Sequence, residues 1–121
     1  MSAEQNDAVI TAFCNAWGEG DLETILDSFT DDAVYHNIPM KPIEGKEAIG
    51  KVIGKFLSGG PVVFETTHQV ASDTVVLNER IDYVPGKGGE KKALPVMGVF
   101  EMSEGKITGW RDYFDLAMMT G

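Results

Sequence analysis

The sequence predicts an α+β fold in which three helices lie on one face of a strongly curved, mainly antiparallel sheet and enclose an apolar pocket. Three observations predict it. Apolar residues recur at helical spacing in three segments, all in the first half of the 121-residue chain. The second half alternates apolar and polar residues in four runs, parted by "SD", "PGKGGE" and "SEGK", which are hairpin-type breaks. One strand-like run falls between the second and third helices, giving the order ααβαββββ. A helix and a sheet each have one face to bury, and stacking one on the other satisfies both.

Taken in order, residues 4–17 carry Val9, Phe13, Ala16 and Trp17 on one stripe, and Gly18 and Gly20 stop the helix. Asp21 is the predicted N-cap of a short second helix with Leu22, Ile25, Leu26 and Phe29 on its apolar side. "AVYHN" (33–37) reads as a brief strand, broken by Pro39 and Pro42. After Gly45, Ile49, Val52, Ile53, Phe56 and Leu57 follow the i, i+3, i+4, i+7, i+8 pattern, and "SGGP" (58–61) ends that helix. Four strands then fall near 62–71, 74–84, 91–102 and 106–115. Pro95 lacks a ladder N–H, so the third of these is expected to be an edge or bulged strand. The whole of 1–121 reads as one domain.

Ten Lys+Arg against nineteen Asp+Glu give a formal net charge of −9. With no basic run beyond Lys91-Lys92, a phosphate backbone is repelled, and nucleic acid is excluded as a partner. "MSAEQNDAV" lacks the basic and apolar regions of a secretory signal, and no stretch approaches a membrane span. With a lone Cys14 and hence no internal disulfide, a cytoplasmic protein is expected. Cys14 itself reads as a small buried hydrophobe. His36 and His68 share no metal-ligand spacing, so no metal site is predicted. "PGKGGEKK" (85–92) matches neither phosphate-binding fingerprint, and no nucleophile elbow is present.

Chemistry concentrates in two strands. In "ITGWRDYFD" (107–115), alternation puts Asp112 between Trp110 and Phe114 on one face. A carboxylate in apolar surroundings is costly unless paired. In "VVLNERIDYV" (75–84), Val76, Asn78, Arg80, Asp82 and Val84 share a face, and Tyr35 and Asn37 share one in the earlier strand. If the three faces converge, Arg80 can fork between Asp82 and Asp112, and the two acids then hold one proton between them. One acid is left as a base and the other as a proton donor, with Tyr35 and Asn37 orienting a water. A structural ion pair is the competing reading, and spacing alone leaves both open.

"YHNIP", "ERID" and "GVFEMSEGKITGWRDYFDL" together resemble the limonene-1,2-epoxide hydrolase family, within the NTF2-like folds, over nearly the whole chain. The resemblance implies a cone-shaped fold and a cofactor-independent addition of water to an apolar epoxide, giving a vicinal diol. Residue by residue it implies Asp112 as general base, Tyr35 and Asn37 as holders of the attacking water, Asp82 as general acid on the epoxide oxygen, and Arg80 between the acids. It implies no metal or organic cofactor, and a homodimer packed through the sheet. Strand parity and the helical stripes then nominate Val84, Leu94, Val96, Trp110 and Phe114, with Phe56, Leu57 and Trp17, as the apolar substrate wall. The rival readings are a ketosteroid-isomerase- or polyketide-cyclase-like acid–base enzyme, and a non-enzymatic binding module on the same fold.

Overall fold

The structure, a computed structural model, describes residues 2–120. Helix α1 (Ala3–Glu19) starts at a capping box: Ser2 Oγ accepts from the Gln5 N–H, and Gln5 Oε1 accepts from the Ser2 N–H. It ends at Gly20, whose φ of 68° is left-handed and suits glycine. Asp21 caps α2 (Leu22–Asp27), its Oδ1 accepting from the Thr24 N–H at 3.1 Å. Phe29, expected on the stripe of this helix, instead opens strand β1 (Phe29–Asn37), because α2 closes at Ser28. Its ring still reaches the core, now from the sheet, edge-on to Phe13 at 5.6 Å.

A two-residue strand that the sequence does not announce, β2 (Ile43–Glu44), pairs with Val34 and Tyr35. Helix α3 (Lys46–Leu57) follows, then β3 (Val63–Ala71), β4 (Val75–Pro85), β5 (Lys91–Ser103) and β6 (Lys106–Tyr113). A short α4 (Leu116–Thr120), also unannounced, comes after Phe114 and Asp115, which lie beyond the strand expected to hold them. The six strands form one strongly curved sheet in the order β2-β1-β6-β5-β4-β3. All neighbours are antiparallel except β1 and β6, which run parallel.

The expectation for Pro95 is corrected. β5 is an interior strand, and its register with β4 runs through the Ile81↔Pro95 pair without a shift. β6, however, ends at Tyr113 opposite Met97. Pro95 therefore sits where β5 is paired on one side only, and its missing N–H faces no ladder there. The core lies between helices and sheet. Phe13 of α1 is its hub, edge-on to Trp17, Phe29, Phe100 and Trp110 at 5.1–6.4 Å. Each such aromatic pair adds ~0.5–1.5 kcal/mol beyond the area it buries.

Candidate active site

Register builds the site. One rung of the sheet aligns Tyr35, Trp110, Phe100 and Val76 across β1, β6, β5 and β4. Two residues on, with the same side chains facing inward, the next rung aligns Asn37, Asp112, Gly98 and Asn78. The first rung is aromatic and aliphatic, with the Tyr35 hydroxyl as its polar group. The second is the more polar, and from β4 Arg80 reaches across it.

Arg80 is fully buried, and all five of its N–H groups find acceptors. Nε and one Nη2 hydrogen go to Asp82 Oδ1 (3.0 Å) and Oδ2 (2.8 Å). The other Nη2 hydrogen goes to Asp112 Oδ2 (2.8 Å), and Nη1 serves Asp112 Oδ1 (3.3 Å) and Asn78 Oδ1 (3.0 Å). The guanidinium crosses from β4 to β6 directly over Gly98 of the strand between them. A Cβ there would lie 2.5 Å from Nη1 and 2.9 Å from Asp112 Oδ1, so only glycine leaves room for the bridge. Phe64 covers the guanidinium, 4.6 Å from ring centre to carbon. Asn78 is held in turn by Gln69, whose Oε1 accepts from its amide at 3.1 Å.

Two carboxylates on one guanidinium leave one negative charge in excess when both are ionised. Burial pushes the Asp82 carboxyl up from its ordinary value, which Arg80 offsets only in part. Burial works against the Arg80 charge, but the Asp112 and Asp82 carboxylates outweigh it and hold that charge firmly. Burial, together with the charge of Asp112, raises the Tyr35 phenol far above its ordinary value, so it stays neutral. Tyr35 donates to Asn37 Oδ1 at 3.3 Å. Among the described residues no group of three or more His, Cys, Asp or Glu is placed to hold a metal ion.

Asp82, Asp112, Tyr35 and Asn37 all line one apolar cavity of about 440 Å³. Of the nominated wall residues, Trp17, Phe56, Val84, Leu94, Val96 and Phe114 line it too. Two do not. Leu57 is partly buried against the core instead, because the helical stripe that holds both it and Phe56 is wider than the cavity. Trp110 is fully buried beneath Tyr35, since strand parity selects a face and not a depth. The cavity also takes in Phe64 and Val62, and at its rim Met40, Lys55 and Met119. Alternation places Asn78 on the inner face without singling it out. A lone glycine within a strand, as at Gly98, is the sequence signal of a close approach.

A strongly curved six-strand sheet backed by helices defines the NTF2-like cone fold, and here it carries an acid–arginine–acid set beside an apolar cavity. Residues 4–121 match the family model described as the limonene-1,2-epoxide hydrolase catalytic domain. Epoxide hydrolase EphG of Mycobacterium tuberculosis (strain ATCC 25618 / H37Rv) is 36% identical over 109 residues, which is 88% of this chain and 71% of that protein. The solved structure of an M. tuberculosis LEH-like epoxide hydrolase superposes with a TM-score of 0.83 at 33% identity, over 97% of this chain and 87% of the other. Bal32a, from a soil-derived mobile gene cassette, gives 0.84 at 26% identity, over 97% and 95%. The chain belongs to the limonene-1,2-epoxide hydrolase family and is an epoxide hydrolase.

Proposed function

We propose that the chain adds water to apolar epoxides in one step, giving vicinal diols, with Asp112 as base and Asp82 as acid. The observation that carries this is the double fork of Arg80, which joins two acids that line the same apolar cavity. Tyr35 has its proton committed to Asn37 Oδ1, so toward a water it acts as acceptor while the Asn37 amide donates. That water gives its second proton to Asp112 and keeps a lone pair for the ring carbon. As the C–O bond opens, the epoxide oxygen takes the Asp82 proton. Each positioned acid or base supplies ~10²–10⁴ in rate, and strain in the three-membered ring supplies much of the rest. The reading includes no covalent intermediate and no cofactor.

Turnover of limonene oxide, cyclohexene oxide and styrene oxide in ¹⁸O-labelled water tests it. Label in the first-turnover diol with wild type, and loss of at least ~10² in kcat with Asp112→Asn or Asp82→Asn, are expected. Unlabelled first-turnover diol would mean that a protein carboxylate attacks instead. We further propose a homodimer through the outer sheet face, where Met97 and Tyr113 pair across strands at 41% and 45% exposure. Light scattering of the purified chain reads this directly. No described helix is long and apolar enough to cross a membrane.

A further inference from the structure

Trp110 does not touch the cavity, yet it touches both halves of the water-activating apparatus. Its Nε1–H donates to Asp112 Oδ1 at 2.6 Å. Its ring stacks on Tyr35, with centres 4.2 Å apart and planes 9° apart. Phe100, its neighbour across the other strand, stacks at 5.3 Å and 18°, and Phe13 meets it edge-on at 5.1 Å. The indole is thus clamped in a rung of three stacked aromatics and has no freedom to turn its N–H elsewhere.

This fixes the Asp112 carboxylate atom by atom. Oδ1 accepts from Trp110 and from Arg80 Nη1, which fills its two lone-pair directions. Among the described residues Oδ2 accepts from Arg80 Nη2 alone, so one direction stays open. We infer that Trp110 is a positioning residue that saturates Oδ1 and so assigns Oδ2 of Asp112 as the oxygen that takes the proton from water. The inference rests on the reading of Asp112 as base. In the step it describes, the water O–H bond breaks toward Oδ2 while the water oxygen bonds the epoxide carbon. The C–O bond of the ring breaks as its oxygen receives the proton of Asp82. Without the indole N–H, Oδ1 regains an open direction and the carboxylate can present either oxygen, at angles that suit the water less well.

The test replaces Trp110 by 3-benzothienylalanine, which keeps the two fused rings and puts sulfur where the N–H stood. Packing is preserved, so a merely structural role predicts unchanged turnover. The inference predicts kcat lowered about tenfold or more, the scale of one charge-assisted hydrogen bond, with KM unchanged because Trp110 does not line the cavity. A kcat within twofold of wild type would overturn it. Proton NMR of the wild type provides a readout that needs no variant. Trp17 Nε1 is buried and bonds to no group among the described residues, so the Trp110 indole proton should resonate well downfield of that of Trp17. Coincident resonances would overturn the contact. Asp112→Asn, run in parallel, separates the two ideas: if it keeps full turnover the base assignment fails, whatever Trp110 does.

Discussion

On each face of the sheet an arginine holds carboxylate at nearly the same distance. Inside, Arg80 lies 2.8 Å from both Asp82 and Asp112; outside, Arg111, next in sequence to Asp112, lies 3.0 Å from Glu101. Each has a glycine beside it, Gly98 within and Gly109 without. The difference is solvent. Arg80 has no exposed side-chain surface, whereas Arg111 and Glu101 are 34% and 54% exposed. An exposed pair adds about 0–1 kcal/mol and is screened by salt. A buried one repays little more than its own desolvation, so stability does not explain its presence. Equal geometry therefore has unequal meaning, and the inner set is the one that suits the proposed chemistry.

Four substitutions and one titration press on that contrast. Arg80→Met strands two buried acids and should cost about 3–5 kcal/mol in urea unfolding together with all turnover. Loss below ~1 kcal/mol would place the inner pair with the outer one. Gly98→Ala should lower kcat by ~10² or more, because Nη1 has to move by about an ångström and the proton-transfer geometry moves with it. Asp82 is next. Its folded carboxyl is raised, so the native state holds the proton more tightly than the unfolded chain. The stability this contributes is whole below the unfolded value near 3.9 and is lost as pH climbs through the folded value. Unfolding measured upward from about pH 4 should show wild type losing stability relative to Asp82→Asn, and kcat should fall over the same rise. A difference that widens in favour of wild type contradicts the assignment.

The outer pair should barely register. Glu101→Ala is expected to change stability by less than ~1 kcal/mol, less still in high salt, with turnover intact. Gly109→Ala meets Glu101 Oε2 at 2.9 Å, but that is the free end of an exposed side chain. A change within ~0.5 kcal/mol is expected, and a drop in kcat would show that the two faces are coupled.

Much of this was legible because period-two alternation is rigid. It put Tyr35 and Asn37 on one face, Arg80 and Asp82 on another, and Asp112 on a third, and register joined the three. What alternation leaves out is depth and partner. Trp110, Asp112 and Phe114 share parity, yet the first is a buried support, the second the candidate base and the third cavity wall. Phe29 continued a helical stripe that Ser28 had already closed, and β2 and α4 are too short to show a period. Gly98 carried a signal, an isolated glycine amid a strand, whose meaning depends on the arginine one strand away.

The parallel pairing of β1 with β6 also dictates when activity can arise. β4, β5 and β6 follow one another as hairpins and assemble from neighbouring stretches of chain. Asn37 meets Asp112 only when strands far apart in the sequence find each other, and such distant closures are the slow ones. In a refolding chain the arginine bridge of β4–β6 is therefore expected to form before β1 docks, so recovered turnover should lag recovery of the hairpins, a lag that stopped-flow assays would read.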